Sequence, residues 1–170
     1  QPSFRALTEL AATVPAGSEG VLFTPWLAGE RSPVEDKDLR GSWLNLSLRT
    51  DRAMLVRSVL EGVALNVRWL YGYYAKFLGL TPPRVRVLGG GAQSDLWCGI
   101  LASTLNVRME QVADPLHAQL RGVALWARVC LGELTLHEAA RLVPVAGVFE
   151  PDPREVRVYA ELFDDFRHAH

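Results

Sequence analysis

Three consecutive glycines, Gly89-Gly90-Gly91, stand between a strand-like run and a helix-like run, and few folds accommodate that arrangement. Arg84-Val85-Arg86-Val87-Leu88 alternates with β-branched residues as a short strand does. Ala92-Gln93-Ser94-Asp95 then leads into a helical run from Leu96 to Leu105, and Val107 to Gln111 reads as a second strand. Glycines at a strand-to-helix turn let a bulky ligand approach the backbone where a β-carbon would block it. The unpaired N–H groups of the helix's first turn favour polar or anionic groups. Ser94 or Asp95 can cap that helix and also reach a ligand. From the triplet alone two readings stand, a nucleotide-binding turn and a tight structural turn.

The 170 residues suffice for one domain with a core, or for a domain with an appendage. A formal net charge of −1 argues against a general nucleic-acid or anionic-membrane surface. No apolar run approaches the ~20 residues of a membrane span, so a cytoplasmic location is expected. Cys98 and Cys130 lack zinc-ligand or CxxC spacing and lie in apolar helical patterns, which predicts buried free thiols. A start at Gln1 rather than methionine is read as a piece of something longer.

Along the chain, Phe4 to Val14 is predicted to be an amphipathic helix, stopped by Pro15 and Gly17. Gly20 to Phe23 reads as a brief strand, and Trp26 to Thr50 as irregular, with the acidic run Glu35-Asp36-Lys37-Asp38 in a solvated loop. Thr50 is expected to cap the longest helix, Asp51 to Leu78, whose apolar stripe runs through Leu55, Val59, Val63, Val67, Leu70, Tyr74 and Phe77 and is widened by Met54, Val56, Leu60 and Ala64, so that much of its girth should be buried. Gly62 within it costs about 1 kcal/mol relative to alanine, which predicts a close backbone contact there. Further helices are predicted over Ala118 to Cys130, from a Thr135/Glu138 capping box to Leu142, and from Arg154 to Phe166. The Phe149 to Pro153 stretch reads as a rigid extended bend. The order is α/β, with helices covering a small sheet.

Several chemistries lack their signature. No GxxxxGK[ST] and no GxSxG occur, and His117, His137, His168 and His170 have no zinc-pair spacing, so surface or capping roles are expected for them. The five tryptophans are scattered, which fits packing better than base stacking. Gly89-x-Gly91-x-x-Ser94 approaches GxGxxG, and Glu110 lies about 20 residues on, where a dinucleotide-binding oxidoreductase holds a ribose. Serine at the third position and the lack of further βαβ strands weigh against that alternative.

Five ordered segments carry a resemblance. Pro25-Trp26-Leu27-Ala28-Gly29-Glu30-Arg31-Ser32-Pro33 resembles the "P-x-L-x-GERxP" loop of the FGGY carbohydrate kinases, a family that includes xylulokinase. Leu39 to Leu46 is similar to its "ARGxxxGL" segment, with Asn45 where glycine is usual. Arg52 to Ala64 resembles "RAxLxRAxLEGVA", Leu88 to Leu105 resembles "GGGAxSxxWxxxLAxxL", and Arg121 to Leu125 its later small-residue helix.

The resemblance implies an actin-like, ribonuclease-H-like ATPase domain, the C-terminal nucleotide-binding domain of a two-domain sugar kinase, occupying residues 1–170 and incomplete at its N-terminus. It implies ATP with Mg as cofactors, a sugar or polyol substrate, and an N-terminal domain as partner. Gly90 and Gly91 are expected against the nucleotide, and Ser94 and Asp95 at the adenosine. No catalytic residue and no metal ligand is expected within the chain, because the general-base aspartate and the phosphate-cradling hairpin precede it in the family. The chain alone is therefore expected to be inactive. Glu30 and Arg31 are expected to brace the loop connecting the two domains, and Arg121 either to stack on adenine or to point to solvent or a structural ion pair. A degenerate kinase-like module kept for protein contacts is the non-enzyme alternative. Without upstream strands, apolar surface and a strand edge should remain uncovered, and homo-oligomers are expected.

Overall fold

The computed structural model describes residues 3–170. Its longest element, α2 (Arg52–Leu78), starts where the Asp51 side chain accepts from the Met54 N–H, and it ends at Gly79, in the left-handed region at φ +67°. Asp51, not Thr50, is thus the cap; the Thr50 hydroxyl instead accepts from the Ser47 N–H in the preceding turn. Ahead of α2, helix α1 (Phe4–Ala11) stops three residues short of Val14, and the short strands β1 (Leu22–Thr24) and β2 (Ser42–Leu44) pair antiparallel. β2 lies within the stretch expected to be irregular. It is exposed and three residues long, so neither burial nor alternation marks it.

The main sheet follows. β3 (Arg84–Val87) runs parallel to β4 (Arg108–Val112), and α3 (Asp95–Leu105) makes the crossover between them. Beyond β4 come α4 (Ala118–Cys130), α5 (Leu136–Arg141) with the expected Thr135–Glu138 capping box, and β5 (Val145–Phe149). β5 pairs antiparallel with β4, giving the order β3-β4-β5. Helix α6 (Pro153–His168) then packs across α3 and α2. Fold class is α/β, as expected.

One core cluster joins Ala64, Ile100, Leu101, Met109 and Tyr159; a second joins Leu22, Trp26, Leu65 and Phe166. The two meet along α2, whose buried face follows its apolar pattern at Ala64 but departs from it over the C-terminal half. Ala53, Arg57, Ser58, Glu61, Gly62, Ala64 and Leu65 are its buried residues, whereas Val67, Leu70, Tyr74 and Phe77 are exposed. The buried face tolerates charge because Arg57 Nε donates to Glu61 Oε1 at 2.7 Å, and Glu61 also accepts from the Gly17 N–H, the Ser18 hydroxyl and the Tyr159 hydroxyl. A buried pair with every group satisfied costs little; one with a partner removed costs several kcal/mol. Gly62 meets the expected close contact: a β-carbon there would collide with the Phe23 carbonyl oxygen.

Cys98 is buried, and burial together with the Asp95 charge pushes its thiol up to about 11, which makes it inert. Cys130 is exposed, contrary to expectation, because among the described residues α4 carries no buried residue.

Candidate functional site

The parallel β3 and β4 end on the same side, so the turn after β3 and the loop after β4 lie together, as do ligand crevices in α/β sheets. The Gly89 N–H donates to the Pro115 carbonyl at 3.0 Å and joins the two segments. Gly89 takes φ +87°, a conformation that disfavours other residues. Gly90 to Gln93 then form one 3-10 turn, closed by the Ser94 N–H on the Gly91 carbonyl. Ser94, the cap of α3, and Asp95, its first residue, follow at once, so all four expected site residues lie within six consecutive positions.

The four do different things there. A β-carbon on Gly90 would meet nothing within 4 Å, whereas one on Gly91 would lie 3.1 Å from Trp97 Nε1. Gly90 therefore borders open space, whereas Gly91 is exposed but a β-carbon on it would press on the edge of the Trp97 indole. Ser94 is buried, and its Oγ accepts from the Trp97 N–H as the cap of α3. Asp95 is exposed in the first turn of α3, where its carboxylate already takes the position the helix dipole reserves for an anion. An acceptor so placed suits a hydrogen-bond donor better than a second anion.

Gln111 of β4 escapes sequence reasoning. Its side-chain amide donates to the Ala92 carbonyl at 2.6 Å and to Asp95 Oδ1 at 3.1 Å, and so fixes the turn. No local signal marks it; its role comes from the strand pairing. Arg121 Nη1 donates to the Ala113 carbonyl at 2.9 Å, which is a structural bond at the end of β4. His117 Nδ1 lies 2.9 Å from Asp114 Oδ1 on the same rim.

Glu110 answers the dinucleotide alternative. It is buried, with Arg84 at 3.3 Å and Arg86 at 3.1 Å. Burial alone would raise its pKa, but the Arg86 hydrogen bond and the charges of Arg84, Arg86 and Arg108 hold the carboxyl below the usual range. A carboxylate so enclosed is unavailable to a ribose. Elsewhere, Glu30 holds its own loop: Oε1 accepts from the Arg31 and Ser32 N–H groups, and Oε2 from Asn66 of α2 at 2.8 Å.

Residues 3–131 match the family model described as "FGGY family of carbohydrate kinases, C-terminal domain". Xylulose kinase of Bacillus subtilis (strain 168) is 28% identical over 170 residues, covering 99% of this chain and 34% of that protein. The solved structure of ligand-bound xylulose kinase from Lactobacillus acidophilus superposes with a TM-score of 0.86 at 28% identity, over 96% of this chain and 33% of that one. Xylulose kinase from Rhodospirillum rubrum gives a TM-score of 0.80 at 32% identity, with the same coverage of 96% and 33%. The chain spans about a third of the length of these relatives.

Proposed function

The chain belongs to the FGGY family of carbohydrate kinases as their C-terminal domain, and on that premise we propose that it is the nucleotide-binding part of an ATP-dependent sugar kinase. The observation that carries this reading is the turn itself: an open backbone at Gly90 beside an exposed carboxylate at Asp95, held by Gln111 at the carboxyl ends of two parallel strands.

In this reading the Gly90 backbone lets the nucleotide come close, and Asp95 accepts from a ribose hydroxyl. Ser94 keeps the first turn of α3 in place, and Gly91 keeps room for Trp97. Magnesium would arrive with the nucleotide's phosphates, and ATP supplies the γ-phosphoryl that passes to a sugar or polyol hydroxyl. Positioning and charge stabilisation do most of the work in such transfers. The proton-accepting aspartate and the sugar contacts belong to the part of the longer relatives that this chain does not match. Residues 1–170 therefore act as one domain with an N-terminal partner domain, and alone they turn over no sugar.

Calorimetric titration tests the proposal. ADP should bind saturably, NADH should not, and a coupled assay with pentoses, hexoses and polyols should show no turnover by this chain alone. Preference for NADH would restore the oxidoreductase alternative, and binding of neither would favour a protein-contact module.

A further inference from the structure

Between the C-terminal half of α2 and α6 lies a cavity of ≈ 450 Å³, and its lining is cationic and aromatic. Arg68, Gly72 and Lys76 follow one another at four-residue spacing along one face of α2, and Arg167 faces them from the end of α6. Among the described residues, none of these three cations has a carboxylate within 4.0 Å. Arg68 is held in place nonetheless: its Nη1 donates to the Tyr159 carbonyl at 3.2 Å, and its guanidinium lies 4.6 Å from the centre of the Phe163 ring. Asp164 acts on it through space without forming an ion pair, and burial holds the guanidinium below its ordinary range.

Gly72 is the second observation. Glycine is among the poorest helix formers, and here nothing in the packing calls for it, since a β-carbon would meet nothing within 4 Å. It is exposed and leaves open space between Arg68 and Lys76 on that face of α2. Trp69 and Phe163 supply apolar walls. A fixed, half-buried guanidinium, two further cations and ring-lined walls match a dianionic phosphate carried on a small carbon skeleton.

We propose that this cavity is a second ligand site, distinct from the glycine turn, that takes a small phosphorylated metabolite. The only α3 residue in its lining is Leu105, at the far end of α3 from the turn. That helix of 11 residues is about 16 Å long, so the two sites can be tested separately.

The test is a calorimetric titration of the protein with ribose 5-phosphate, and with ribose as the uncharged control. Ribose 5-phosphate should bind saturably and more weakly as salt rises; ribose should not bind. Arg68→Gln should weaken binding by about tenfold or more. Because Arg68 also packs against Phe163, Gly72→Leu provides a second variant, which puts a side chain between Arg68 and Lys76 where a β-carbon meets nothing within 4 Å; it should keep or raise Tm and abolish binding. Gly90→Val, at the other site, should leave binding unchanged. Inorganic phosphate, titrated alongside, should bind more weakly than the ester; binding as tight as the ester's would overturn the metabolite assignment and leave a site for the free anion. No saturable binding by either probe, or binding undisturbed by Gly72→Leu in a folded protein, would overturn the proposal.

Discussion

The side-chain amide of Gln111 donates to the carboxylate of Asp95 at 3.1 Å, so a residue near the carboxyl end of β4 sets the aim of one at the start of the crossover helix. The same amide holds the Ala92 carbonyl at 2.6 Å. Gln111→Leu removes both bonds while keeping the strand's bulk. We expect the domain to stay folded and ADP affinity to fall by about threefold to tenfold, the worth of one or two hydrogen bonds. Calorimetry on the variant checks this, and wild-type affinity would show that the clamp is irrelevant to the nucleotide.

Gly62→Ala should destabilise the protein although alanine is the better helix former. The added methyl collides with the Phe23 carbonyl, backbone that cannot rotate away. Overpacking of this kind costs about 1–3 kcal/mol and outweighs the helix gain of about 1 kcal/mol. Urea denaturation should show a lower midpoint at unchanged slope; an equal or higher midpoint would mean that α2 can shift freely against β1.

Acid should weaken the fold partly through Glu110. Its pKa is depressed in the folded state, so the stability it contributes is fully present above the ordinary glutamate value of about 4.3 and is lost as pH falls through the depressed value. Below about pH 4.3, stability should drop more steeply in the wild type than in Glu110→Gln. Parallel curves for the two proteins would place the acid sensitivity elsewhere.

Uncovered apolar surface should make the isolated chain self-associate. Leu70, Tyr74, Val85 and Trp97 border a groove of ≈ 510 Å³ beside β3, and among the described residues β3 pairs with β4 alone. At about 25 cal/mol per Å², a few hundred Å² of such surface is worth several kcal/mol before association costs. Light scattering across a concentration series should show growing mass, reduced by Leu70→Glu. A strictly monomeric wild type would mean the face is stable in water.

What the sequence made legible was local. The limits of α2, the Thr135–Glu138 capping box and the glycine turn each follow from residues within a few positions of one another. What stayed hidden depends on distant partners. β5 is only the run Val-Ala-Gly-Val-Phe until β4 pairs with it, and Gln111 acts on residues 16 and 19 positions away. The buried face of α2 ran against its apolar stripe because Arg57 and Glu61 neutralise each other inside the core, which no periodicity reveals. Gly90 and Gly91 are equivalent as letters, and only the position of Trp97 tells them apart.

That difference gives the most direct measurement of the central claim, the ADP affinity of Gly90→Val. Gly90 has no positive φ and a β-carbon there touches no protein atom, so the variant should fold with nearly the wild-type Tm. If the open space beside Gly90 is where the nucleotide lies, valine fills it, and ADP should bind at least about tenfold more weakly, a loss of about 1.4 kcal/mol. A folded Gly90→Val protein that binds ADP as the wild type does would contradict the account.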